Sequence, residues 1–374
     1  MKIAFFGSSV VSAWWNGAAT YYRGLLRELA ALGHDITFYE PEIYERHQHR
    51  DIDDPDWTRI VIYPADDVQA MLRQAADADV VVKASGVGAN DELLEREVLS
   101  LKRPGKRIVF WDVDAPATLE RLANDADDPF RALVPEYDMV LTYGGGPPVV
   151  AAYEGFGARR CVPIYNALDQ TTHFPVAPEA RFVADLVFVG NRLPDREARV
   201  DEFFFAAAEH CPHKQFLLGG NGWADRAAPA NVRLLGHVYT RDHNAINASA
   251  RAVLNISRAS MARFGYSPAT RVFEAAGAGA CLITDAWTGI EEFFEPGKEI
   301  LVAENGAAVA SILQDLTAEE ARRIGEAALA RVRADHTYAS RAAEVDTLLQ
   351  STTSAEKLGD SNSLSLRARV RVRG

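Results

Sequence analysis

A chain of 374 residues, 48% hydrophobic and 25% charged, is long enough for two cores of about 150 to 180 residues each. Its formal net charge of -12 argues against a general nucleic-acid binder and against broad attraction to an anionic membrane. Cys161, Cys211 and Cys281 lie in or near apolar runs without C-x-x-C spacing, which argues against a disulfide framework or zinc ribbon and fits a reducing, cytoplasmic setting.

The opening run MKIAFFGSSVV reads as a buried strand over 3–6 rather than a leader, because Gly7, Ser8 and Ser9 interrupt it. No stretch approaches the roughly 18 apolar residues of a membrane span. Tyr22, Leu25, Leu26, Leu29 and Leu32 have helical spacing, Gly33 stops them, and a strand over 35–39 completes a βαβ unit. Gly7 is not followed by G-x-x-G, so the dinucleotide fingerprint is missing and a nicotinamide or flavin enzyme loses support. The polar run 41–59 holds His47 and His49 but no third ligand at fixed spacing, and predicts a solvated insertion. Helix over 68–76, strand over 80–83, helix over 91–101 and strand over 108–111 continue a doubly wound parallel sheet. At the carboxyl end of that strand stand Asp112 and Asp114. They could orient or deprotonate an acceptor hydroxyl, or one could cap the helix over 116–122 while the other is solvated. A strand over 137–142, a helix over 149–155 and a strand over 161–164 finish the first domain at 165. Pro175 and Pro178 mark a linker over 166–180.

The second domain, 181–335, opens with a strand over 186–189 and Gly190. Asn191, Arg192 and Arg196 follow, before a helix over 199–210. Two arginines at a strand end beside a helix start form either a pyrophosphate cradle or a solvated loop. In His210-Cys211-Pro212-His213 the proline breaks the helix, so the two histidines share no helical face and a metal is not expected. Strands over 215–218 and 232–235 lead to GGNGW and to His237, which could touch a nucleotide base or cap its turn. A loop after the strand over 253–256 delivers Arg258, Gly265 and Tyr266.

Ser267 can cap a helix starting at Pro268 and ending at Gly277 or Gly279, before a strand over 280–284. Thr270, Arg271 and Glu274 share one face of it. Exposed, the Arg/Glu pair contributes only about 0.2 to 0.5 kcal/mol. As a ligand site, Arg271 and the helix start would receive phosphate and Glu274 would accept from a ribose diol. Gly289 opens a further turn in which Glu291 and Glu292 suit the helix dipole. Helices over 307–315, 318–334 and 338–349 close the chain, and the Ser- and Thr-rich stretch 351–374 is expected to be a disordered tail with no assigned role.

The runs ADLVFVGNRLPDRE and TRVFEAAGAGACLITDAWTGIEEFFEPGKEILV resemble the donor half of GT-B glycosyltransferases, specifically the CgeB-like (spore maturation protein) group related to glycosyltransferase family 4. LAALGHDITFYEP, the D-x-D-x-P at 112–116, LGHV and HTYASRAAEV are similar to other parts of that group. The resemblance implies two Rossmann-like parallel-sheet domains facing a central cleft, with a closing helix over 336–350 packing back on the first. It implies transfer of a sugar, with weak preference for retention, from a nucleotide diphosphate sugar to an acceptor hydroxyl, without cofactor or metal. Hinge closure about the linker would exclude water.

Carried over residue by residue, Glu274 matches the family's ribose-holding Glu, and Arg192 matches the Arg of its phosphate motif, with Arg196 near the following Lys. Tyr266 stands where family 4 enzymes have another Glu. The implied catalytic set is Asp114, Arg192 and Arg271. The implied donor contacts are Glu274, Arg196, Asn191, Gly265, Tyr266, His237 and Gly289. Asn16, Gly17 and Asp112 would line the acceptor side, with Trp14 and Trp15 in the same loop. A nucleotide-sugar epimerase and a non-catalytic nucleotide-binding subunit stay open as alternatives, the second favoured by Tyr266.

Overall fold

The computed structural model describes residues 1–14 and 16–351. Trp15 and the expected tail beyond Ser351 lie outside the described residues. The first sheet has seven strands: β1 (Lys2–Phe6), β2 (Asp35–Pro41), β3 (Arg59–Tyr63), β4 (Val80–Ala84), β5 (Arg107–Asp112), β6 (Met139–Thr142) and β7 (Cys161–Pro163). Their order is β3-β2-β1-β4-β5-β6-β7, and every pairing is parallel. The second sheet has six: β8 (Ala184–Val189), β9 (Phe216–Gly219), β10 (Val232–Gly236), β11 (Ala250–Asn255), β12 (Leu282–Asp285) and β13 (Leu301–Ala303). They run β10-β9-β8-β11-β12-β13, again all parallel.

Both sheets are covered on both faces, which is why their central strands read as unbroken apolar runs. Side chains alternate across a strand. Thus Ile3 and Phe5 enter one core of the first domain while Ala4 and Phe6 enter the other, and Leu186 and Phe188 are divided from Val187 in the same way. β3 is the strand the sequence hid. It lies on the sheet edge, half-exposed, behind a polar insertion, so its short RIVIY run carries little of the central-strand signal.

The helix expected over 199–210 starts earlier, at Pro194, and runs to His210 through a π-helical turn at Asp201–Phe205 that buries three consecutive phenylalanines. The segment 259–264, expected as loop, is a short helix, Ala259–Phe264, whose Phe264 packs against the first domain's core. Ser267 does not cap. Its hydroxyl donates to the Gly265 carbonyl at 2.8 Å, and the helix begins later, Thr270–Gly277.

The linker and the chain's return lie side by side. Leu168 N–H donates to His336 O at 2.8 Å and Tyr338 N–H to Leu168 O at 3.2 Å. The last helix, Tyr338–Gln350, then joins the first domain's core through Tyr338, Ala342, Val345, Leu348 and Leu349. Tyr338 needs Gly24 opposite it, since a Cβ there would come within 2.1 Å of its ring. Among the described residues no helix is long and apolar enough to cross a membrane.

Candidate functional site

In an open parallel sheet, ligands bind beyond the carboxyl ends of the strands, where the strand order reverses. In the second sheet that point lies between β8 and β11. Arg271 spans it: Nε donates to Val189 O at the end of β8 at 2.6 Å, and Nη1 to Asn255 Oδ1 at the end of β11 at 3.1 Å. Its guanidinium also lies over the Phe188 ring, 5.0 Å from the centroid. The helix Thr270–Gly277 can aim Arg271 there because its apolar residues, Val272, Phe273, Ala275 and Ala276, are fully buried on the other faces.

Arg196 approaches the same spot from the first turn of the helix that starts at Pro194. A Cβ added to Gly190 would lie 2.7 Å from Arg196 Nη1 and 3.0 Å from Arg271 Nη2, so only glycine lets both groups stand over this strand end. Arg196 Nε is buried with no hydrogen-bond partner among the described residues. Two carboxylates lie close by, but other arginines hold them: Asp195 accepts from Arg258 at 2.5 Å and Asp285 from Arg199 at 2.6 Å. The result is two adjacent cations with no ion-pair partner of their own among the described residues. Burial lowers Arg271, and Arg196 beside it lowers it further, to about 9; burial likewise lowers Arg196. Both still carry charge at neutral pH.

Arg192 is placed differently from the sequence expectation. Its guanidinium is already neutralised by Glu197 at 2.5 Å and Asp225 at 3.0 Å, and it fastens the loop after β8 to the loop after β9. Asn191 does similar work, its Oδ1 accepting from Asn221 N at 2.9 Å. His237 is exposed at the mouth of β10, edge-on to Tyr239.

Tyr266 joins the two domains. Its backbone has φ 46°, in the left-handed region, where a bulky residue is uncommon. Its N–H donates to Thr288 O at 2.7 Å, and its carbonyl accepts from Gly145 N of the first domain at 2.8 Å. The ring lies between Gly146 and Gly289, where added Cβ atoms would come within 2.6 Å and 2.1 Å of it. Gly265 turns the chain into this position at φ 71° against the Thr288 carbonyl.

On the first-domain side, Asp112 is fully buried. Its carboxylate accepts from Ser85 Oγ at 2.7 Å, from the Tyr153 hydroxyl and from Asp114 N at 3.0 Å, so it holds the turn and does not reach the cleft. Burial raises it above the usual carboxylate range against those hydrogen bonds. Asn16 is also engaged inside the loop, bonding Ser8, Ser9 and Ser12, while Gly17 beside it is exposed. Trp14 is exposed and stacks on His49 at 4.2 Å. Asp114 does face the second domain: its Oδ2 accepts from Arg258 Nη1 at 3.3 Å, and Arg258 thereby ties Asp114 to Asp195 across the cleft.

Glu274 lies one helical turn from Arg271. It faces two histidines that sequence reasoning passed over, His173 of the linker and His243 of the helix Thr240–Ser249. They are 70 and 31 residues apart from one another and from Glu274, so no spacing signal could have found them.

Residues 196–347 match the model of a family described as glycosyl transferase-like. No curated protein matches the chain. Among solved structures, sucrose-phosphate synthase from Thermosynechococcus elongatus superposes with a TM-score of 0.67 at 15% identity, over 93% of this chain and 98% of that one. HepE of Anabaena, in complex with UDP and glucose, gives 0.64 at 14% identity over 94% and 100%. An alpha-glucosyltransferase in complex with UDP and a DNA 13-mer gives 0.65 at 11% over 94% and 100%. With two parallel-sheet domains of seven and six strands, the chain has the GT-B fold.

Proposed function

We propose that the chain is a glycosyltransferase, of the CgeB-like kind, that moves a sugar from a nucleoside diphosphate sugar to an acceptor hydroxyl. The observation that carries this reading is the unneutralised pair Arg196 and Arg271 over Gly190. Two like charges held together in a half-buried site oppose folding unless an anion joins them, and a diphosphate supplies matched oxygens for two guanidinium forks. In the reaction the bond from the anomeric carbon to the phosphate oxygen breaks and a bond to the acceptor oxygen forms. The negative charge that grows on the leaving diphosphate falls where these two cations are already fixed, so no divalent ion is required on the phosphate. Glu274 accepts from the ribose hydroxyls. Asp114, the exposed carboxylate facing the second domain, is placed to receive the acceptor's proton once Arg258 releases it. With Tyr266 in place of the family's other Glu, retention rests on the resemblance alone.

The test is a thermal-shift screen of the full chain against UDP, GDP, dTDP, CDP and ADP, with UDP first because it occupies the HepE and alpha-glucosyltransferase structures. A ligand at about 100 times its dissociation constant stabilises the fold by about 2.7 kcal/mol. One nucleotide should stabilise the wild type, and both Arg271→Ala and Glu274→Ala should lose that response. If no nucleotide shifts the wild type, the reading fails. A second reading, a nucleotide-binding subunit without turnover, is favoured by the Arg258 to Asp114 pairing. It predicts the nucleotide response without any consumption of donor.

A further inference from the structure

We propose that His173, His243 and Glu274 form a binding site for a transition-metal dication of the zinc class, separate from the arginine pair. One ligand atom from each lies within 4.8 Å of the others. His173 is 3% exposed and its Nε2 is buried without a hydrogen-bond partner among the described residues. That nitrogen is 3.9 Å from Glu274 Oε1, too far for a hydrogen bond and near enough for both to bind one ion. Zinc takes His nitrogen and carboxylate oxygen at about 2.0 to 2.2 Å, so an ion among these atoms has to draw each inward by less than about 1 Å.

The supports are those a metal ligand needs. Metal-bound histidines are oriented through their other ring nitrogen. His173 Nδ1 lies 2.9 Å from Thr172 Oγ1, which leaves Nε2 to face the group. The linker segment is itself fixed: Asn244, beside His243, donates to Thr172 O at 2.9 Å, and His173 N donates to Asp169 O at 2.9 Å. Two imidazoles select zinc, copper or nickel over magnesium or calcium, which prefer all-oxygen shells. Arg271 works against a second cation here, and the Glu274 carboxylate offsets it. Resting on the proposed function, the consequence is competition: Glu274 cannot hold a metal and a ribose diol together, so zinc should weaken nucleotide binding.

The experiment is calorimetric titration of the chelator-treated full chain with Zn2+ and, separately, with Co2+, followed by visible absorption. One saturable equivalent is expected, with the intense visible bands of four-coordinate cobalt. Affinity should fall by at least about a hundredfold in both His173→Ala and His243→Gln and stay unchanged in the control His213→Ala. His243→Gln keeps a polar side chain on a half-buried helix, so its loss of metal is not explained by misfolding, and circular dichroism of both variants checks this. Absence of saturable uptake, or uptake unaltered in both variants, overturns the proposal. Nucleotide binding measured in chelator reads the proposed function independently: its failure with metal uptake intact sinks that reading and leaves this one standing.

Discussion

Arg196 and Arg271 reach the end of β8 from two different elements and share the space above Gly190, their Nη atoms 2.7 and 3.0 Å from where a Cβ would stand. Neighbouring arginines of the same cleft, Arg192, Arg199 and Arg258, each have a carboxylate. The difference separates arginines that build the cleft from those that are free to bind in it.

Gly190→Ala should therefore act as a binding mutation before it acts as a folding one. The new methyl meets Arg196 Nη1, Arg271 Nη2 and, at 2.8 Å, the Phe188 ring. The methyl displaces the two Nη groups from their fixed positions and crowds the Phe188 ring, so a destabilisation of about 1 to 3 kcal/mol is expected together with loss of the nucleotide-induced thermal shift. A variant that still binds nucleotide with wild-type affinity would move the cradle away from Gly190.

Arg196→Gln should separate stability from function. It removes a like-charge neighbour of Arg271 and a buried donor without a partner among the described residues, so the ligand-free protein should gain on the order of 1 kcal/mol in urea titration. The same variant should lose most of its nucleotide response. Reduced stability without ligand would mean that Arg196 has a native partner and is not held ready for an anion.

Much of this was legible in the sequence, and the failures have physical causes. Buried parallel strands such as IAFF, VVVK and LVFV announce themselves because they are apolar on both faces, and Gly190, Arg196, Arg271 and Glu274 follow from strand ends and helical spacing. Arg192 misled because sequence shows a charge but not its partners; Glu197 and Asp225 occupy it. Asp112 misled because a strand's last residue can point into the core as readily as into the cleft. The edge strand β3 and the two histidines facing Glu274 carry no periodic signal at all.

Tyr266 departs from the pattern that the resemblance implies, and its backbone bonds both Thr288 and Gly145, one in each domain. Tyr266→Ala should leave nucleotide affinity nearly intact, because the ring packs against Gly146 and Gly289 rather than toward Arg271. Losing a half-buried aromatic between the domains should lower stability by about 1 to 3 kcal/mol. Small-angle scattering should show a wider distribution of domain separations. If nucleotide affinity falls at least tenfold with stability unchanged, Tyr266 belongs to the donor site instead.

His336 should make stability depend on pH in a defined direction. It is 7% exposed, its Nε2 lies 3.1 Å from Phe293 O, and Arg341 donates to its Nδ1 at 3.0 Å. Burial, helped by Arg341, pushes it down to about 4, against 6.5 for a free imidazole. Between those values the unfolded chain binds the proton and the folded chain does not, so stability rises with pH across this window. The contribution is fully present above about pH 6.5 and is lost as pH falls toward 4, amounting to about 3 kcal/mol at most. Asp112 and Asp285 act in the opposite sense, since burial raises both, and their stability is lost as pH climbs above the ordinary carboxylate range. The wild-type curve is therefore a sum, and the informative quantity is its difference from His336→Gln, whose amide can still donate to Phe293 O but does not titrate. Urea unfolding of both proteins from pH 4.5 to 7.5 should give a difference that grows with pH up to about 6.5 and is level above it. A difference independent of pH would mean that the imidazole titrates alike in the folded and unfolded chain, and that neither burial nor Arg341 holds it neutral.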